Sequence, residues 1–159
     1  MFEWGAKLFY FDRRKCIQLS HFASKFTVFL CDIKKEEIKD VGHLLASYLL
    51  DIYSDDRQMT LLLERFFNEN YAVMFAKLTD KSAISTLNRT QSDFAMDGYR
   101  FYRYIENGIL KIRQINRDVN EHYIQTQKID GKTYAFCAKK RFRQLLLEYY
   151  GFTAESAFI

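Results

Sequence analysis

The sequence predicts an α+β fold: a single domain in which an antiparallel sheet built from β-hairpins packs against about four helices. Three observations predict it. The first thirty residues alternate β-branched and aromatic runs with polar turns. Beyond them the apolar period changes from two to steps of three and four. Strand-like and helix-like segments then recur without regular βαβ alternation, which argues against a doubly wound parallel sheet.

Residues 6–11, Ala-Lys-Leu-Phe-Tyr-Phe, read as a strand, and the polar run Asp12-Arg13-Arg14-Lys15 breaks it. Residues 16–21 return as a second strand and close a first hairpin. Residues 25–31 are β-branched and aromatic, as a third strand requires. From residue 34 to 53 apolar side chains fall at Ile38, Val41, Leu44, Leu45, Tyr48, Leu49 and Ile52, one face of a helix. This helix is expected to bury Val41, Leu45, Tyr48 and Ile52. Ser54 is expected to cap a second helix over 55–68, with Met59, Leu62, Leu63, Phe66 and Phe67 inward.

Residues 71–78 read as a further strand, and Thr79 or Asp80 as the cap of a helix starting near Ser82. Residues 94–107 carry Phe94, Phe101, Tyr102 and Ile105 at helical spacing, with Gly108 as a stop. Residues 110–115 read as a short strand. Residues 124–128 and 132–137 flank Ile129-Asp130-Gly131, and Asp-Gly is a strong hairpin signal. Residues 139–150 form a final helix ended by Gly151. The domain is expected to span 1–152, with 153–159 a loose tail.

Composition narrows the function classes. With 48% apolar residues in 159, the chain can bury a core without disulfides or metal. Its three cysteines, Cys16, Cys31 and Cys137, are odd in number and far apart, unlike a secreted disulfide framework. The N-terminus lacks a basic region leading into an apolar stretch. No apolar run approaches the ~20 residues of a membrane helix. A cytoplasmic chain without a membrane partner is the expectation.

Catalytic signals are missing too. His21, His43 and His122 are isolated, with no spacing suited to zinc. There is no Gly-x-Ser-x-Gly elbow, and six glycines leave little for phosphate-cradling loops. The acidic pairs Glu36-Glu37 and Asp55-Asp56 suit helix N-termini better than acid–base work. No catalytic residue, cofactor or metal is therefore assigned.

The formal charge is +4 and unevenly spread. Residues 99–159 hold eleven bases against six acids, an excess that favours an anionic partner. The run Tyr99-Arg100-Phe101-Tyr102-Arg103-Tyr104 alternates aromatics with arginines, the residue types of interface hot spots and of single-strand nucleic-acid grooves. The competing reading is a core helix with a solvated basic face. Arg100 and Arg103 share one helical face, as do Lys139, Lys140 and Arg143 in the final helix. Together they are expected to form one partner-facing surface, with Arg13 and Arg14 of the first turn as further candidates. Asp12-Arg13-Arg14-Lys15 and Asn88-Arg89-Thr90 are polar clusters that could hold phosphate, against the competing and preferred reading of polar, solvated turns.

Trp4, Lys7-Leu8-Phe9, Arg13-Arg14-Lys15-Cys16, and Asn88-Arg89-Thr90 followed by Met96-Asp97 resemble, in order and spacing, an uncharacterised bacterial domain family. Lys7 stands where that family favours Asn, and Phe94-Ala95-Met96-Asp97 stands for its Gly-Ser-Met-Asn-Asp run. The resemblance implies a small bacterial protein of the kind borne on phages and mobile elements, and it brings no established activity. The function expected is non-enzymatic: binding and inhibition of an intracellular bacterial effector, a defence nuclease among the candidates, in the manner of an anti-CRISPR protein or antitoxin. The alternative is a nucleic-acid-binding protein using the basic C-terminal third.

Overall fold

The computed structural model describes residues 1–96 and 99–159. Its centre is an antiparallel sheet of β1 (Trp4–Phe11), β2 (Arg14–His21) and β3 (Thr27–Cys31), in that order. The pairing runs from Phe11↔Arg14 to Trp4↔His21, and from Cys16↔Cys31 to Ser20↔Thr27. Asp12 and Arg13 make the tight turn with φ of 47° and 63°. Such a left-handed pair matches the twist of the flanking strands.

Side chains of period two give this sheet two faces. Leu19, Val28 and Leu30 point to one, with Trp4 and Ile17 beside them. Phe9, Phe11, Cys16 and Phe29 point to the other. Both faces are covered by helices.

On the Leu19 face lie α1 (Val41–Ile52), α2 (Arg57–Glu69) and α6 (Ala138–Tyr149). Their Leu49, Ile52, Met59, Leu63, Phe142 and Leu146 join one buried cluster with the strands. A 3₁₀ turn, Glu37–Asp40, replaces the first part of the helix expected over 34–53. Val41 and Ile52 are buried as expected, but Leu45 and Tyr48 are only half-buried and Leu49 holds the centre. Asp56, not Ser54, caps α2, its carboxylate accepting from the Met59 N–H at 3.1 Å.

On the Phe9 face lie α3 (Lys81–Gln91), a π-turn at Ser92–Met96, and α4 (Tyr99–Arg103). Asp80 caps α3, accepting from the Ala83 N–H at 2.7 Å. The helix expected over 94–107 includes Asp97 and Gly98, which lie outside the described residues. Its remainder is short: α4 gives way to a small hairpin of β4 (Ile105–Glu106) and β5 (Ile109–Leu110). Asn107 and Gly108, with φ of 52° and 75°, turn that hairpin, so Gly108 ends no long helix.

The strand expected at 110–115 is mostly helix. Ile112, Ile115 and Val119 fall at steps of three and four in α5 (Ile112–Glu121). This helix lies along the outer edge of β3. Asn120 accepts from the Thr27 N–H at 2.8 Å and donates to the Thr27 carbonyl at 2.7 Å. Asn116 does the same for Phe29, at 2.7 and 2.9 Å. The fit is geometric: four helical residues rise about 6 Å and two strand residues about 6.6 Å. Two asparagine amides thus replace a neighbouring strand.

Residues 71–78, expected as a strand, have no regular secondary structure, and Tyr71, Val73, Met74 and Phe75 are exposed. Their β-prone composition meets no pairing strand among the described residues, and a strand needs a ladder. The hairpin of β6 (Ile124–Ile129) and β7 (Lys132–Cys137) is as expected, turned by Asp130 and Gly131 at φ of 48° and 79°. The tail over 153–159 is not loose. The Ile159 N–H donates to the Ala135 carbonyl at 2.8 Å, Ala157 is buried, and Phe158 packs on Tyr134 and Phe136. The open edge of β7 supplies backbone partners and an aromatic seat that the tail occupies.

Candidate partner-binding surface

The seven cations expected to bind a partner divide into two groups. Lys139 pairs with Glu121 at 2.8 Å and sits over the Tyr53 ring. Arg143 pairs with Asp56 at 2.7 Å and donates to Gln58 at 3.3 Å. Burial pushes the Asp56 carboxyl up, but the bonds from Arg143 and Met59 outweigh it and hold the pKa below the ordinary value. Arg14 pairs with Asp12 at 2.7 Å and donates to the Gly108 carbonyl at 3.1 Å. Arg100 lies over the Phe94 ring, 5.3 Å from its centre. These four side chains tie elements together. Arg13, Arg103 and Lys140 are exposed and carry no ion pair among the described residues.

These cations do not share one surface. Phe101 anchors α4 in the cluster on the Phe9 face, and Phe142 anchors α6 in the cluster on the Leu19 face. The sheet stands between the two helices, so the joint surface expected of Arg100, Arg103, Lys139, Lys140 and Arg143 is not formed. Within the aromatic–arginine run Phe101 turns inward, while Tyr102 stays exposed and packs on Phe11 with ring centres 4.8 Å apart. Much of the remaining basic excess is also engaged internally. Arg113 and Arg117 both reach Asp51, at 3.4 and 3.5 Å, and Lys111 pairs with Glu106.

A different surface emerges from the sheet edges. A strand edge exposes unpaired N–H and C=O groups, and folded proteins usually block it. The β3 edge is blocked by Asn116 and Asn120. The β1 edge pairs with no strand among the described residues. Leu8 and Tyr10 project beside it, 51% and 67% exposed. Tyr102 flanks its other face, with Arg103 next in sequence and Arg13 at the adjoining turn. The apolar segment 71–78 lies close by: a Cβ on Gly5 of β1 would come within 3.5 Å of Leu78, and one on Gly42 within 2.9 Å of Val73. Met74, 93% exposed, is the barest apolar side chain in the described chain. Charge and aromatic alternation pointed to Arg13 and Arg103; the strand edge itself had no sequence signal, because edge position is a property of topology.

Asn88 and Arg89 of the Asn88-Arg89-Thr90 cluster staple neighbouring elements together. Lys7 of β1 donates to the Asn88 carboxamide oxygen at 2.7 Å. Arg89 donates to Gln125 at 2.8 Å and to Thr126 at 3.3 Å, joining α3 to β6. Two of the segments that carried the family resemblance, around Lys7 and around Asn88, therefore meet in space. Near them Gln18 of β2 is fully buried, and neither atom of its amide has a hydrogen-bond partner among the described residues.

His21 is buried between the rings of Trp4 and Phe142, its Nδ1 2.7 Å from the Ser24 hydroxyl. Burial pushes its pKa down to about 3. Among the described residues no group of three or more His, Cys, Asp or Glu side chains could hold a metal ion. No described helix is long and apolar enough to cross a membrane.

No curated protein and no solved structure matches the chain. The segments that meet between β1 and α3 all fall within residues 1–136, the span over which the chain matches a family described as a domain of unknown function, DUF6933, and to that family it belongs.

Proposed function

We propose that this chain is a non-enzymatic binding protein of the bacterial cytoplasm that occupies and inhibits an effector protein by taking an extended segment of it onto the outer edge of β1. The observation that carries this reading is the contrast between the two sheet edges: β3 is sealed by two asparagines, whereas β1 is open and bordered by exposed Leu8, Tyr10 and Tyr102. Strand addition draws affinity from main-chain hydrogen bonds and specificity from flanking side-chain contacts. Aromatic and arginine residues at such a rim are the types that dominate binding energy.

Nucleic-acid binding through the C-terminal third is less well supported. Lys111, Arg113, Arg117, Lys139 and Arg143 are all engaged with acidic side chains of the same chain. Phosphate contacts would have to compete with these pairs.

The test is capture from a bacterial lysate with the full chain and with a Leu8→Glu, Tyr10→Glu variant, at low and high salt. The expected result is one stoichiometric protein held by the wild type at both salts and lost by the variant. Recovery of nucleic acid alone, released steeply by salt, would favour the alternative.

A further inference from the structure

We propose that Cys16 and Cys31 are a reactive dithiol that closes to a disulfide on exchange with a low-molecular-weight disulfide such as oxidised glutathione. The two residues face each other directly across β2 and β3, on the Phe9 side of the sheet. Cross-strand partners have Cα atoms about 4.5–5.5 Å apart, inside the roughly 4.4–6.8 Å that a disulfide spans. Their sulfurs are already 2.6 Å apart. Closure therefore needs no rearrangement of the backbone.

The two thiols differ in access and acidity. Cys16 is fully buried, while Cys31 ends its strand and is partly exposed. The hydrogen bond between them holds Cys16 below the ordinary thiol range and pushes Cys31 above it. The Arg14 guanidinium favours the thiolate at both positions, and Asp32 opposes it.

Access, not acidity, sets the order of events, because Cys31 is the thiol a small disulfide can reach. Cys31, the reachable thiol, loses its proton as it attacks a sulfur of oxidised glutathione. That S–S bond breaks and one glutathione thiolate leaves. The Cys16 thiolate then attacks the Cys31 sulfur, breaks the mixed disulfide and expels the second glutathione thiolate. Both thiol protons end on the two glutathiones, and the two electrons lost by the pair reduce the glutathione disulfide. Cys137 stands apart: its thiol donates to the Asn120 carbonyl at 2.8 Å.

The full chain is incubated with oxidised glutathione, then alkylated and weighed intact. The expected result is loss of two hydrogens, one alkylatable thiol at Cys137, and a cross-linked peptide pair containing Cys16 and Cys31. Reversible closure should also raise Tm by roughly 5 °C or more. Cys16→Ser should accumulate one glutathionyl adduct on Cys31. Cys31→Ser, a change at a more exposed position, should yield neither disulfide nor adduct at Cys16. Three alkylatable thiols after oxidation of the folded wild type, or a disulfide that includes Cys137, would overturn the proposal.

Discussion

At the residue scale, two asparagines decide where the sheet ends. Each makes two hydrogen bonds to one residue of β3, in a fully buried setting. Asn120→Ala strips the partners from the Thr27 N–H and carbonyl, and a buried polar group left unpaired costs about 1–3 kcal/mol. A loss of about 2–4 kcal/mol in a urea unfolding curve is expected. A neutral effect would mean that β3 needs no clamp. His21 makes a second residue-scale prediction. Its ordinary pKa is 6.5 and the folded value is about 3. Between these values the unfolded chain binds the extra proton, so stability falls as pH drops from 6.5 toward 3, at up to about 1.4 kcal/mol per pH unit. His21→Gln should flatten this slope in unfolding curves taken across that range. Neither device was legible in the sequence. Asn116 and Asn120 look like solvent-facing polar residues, and an isolated histidine carries no mark of burial.

At the element scale, strongly periodic segments were legible and marginal ones were not. The first three strands, the Asp130-Gly131 hairpin and the final helix follow from alternation, turn residues and steps of three and four. α5 escaped because its buried stripe mixes Ile115 and Val119 with Asn116 and Asn120, so that its apolar signal is halved. Segment 71–78 failed in the opposite sense: its composition suits a strand, but no described strand pairs with it. The register of α1 is a sharper case. Its period marks one apolar face, yet the sheet meets Leu49 more squarely than Leu45. Leu49→Ala should therefore cost about 2–5 kcal/mol, the range for a fully buried leucine. Leu45→Ala should cost clearly less in the same thermal or urea melts, and equal losses would contradict the observed facing.

At the scale of the whole molecule, the family match ends at residue 136 but the core does not. Phe142, Leu146 and Leu147 of α6 are buried in the cluster beneath β2 and β3, and Arg143 reaches the cap of α2. A chain cut after residue 136 should lose cooperative unfolding by circular dichroism, whereas a folded truncated product would show α6 to be dispensable. The same three-layer arrangement puts α4 and α6 on opposite sheet faces, which separates the cations that charge counting had joined. What the layers leave without a strand partner, among the described residues, is the outer edge of β1. Hydrogen–deuterium exchange of the free chain, and of the chain with its captured partner, tests this most directly. Thr27 and Phe29 amides are expected to stay protected throughout, with fast exchange at the outward amides of β1 in the free chain and slowing there by at least tenfold on binding, about 1.4 kcal/mol. β1 amides already as protected as those of β3 in the free chain, or unchanged by the partner, would contradict it.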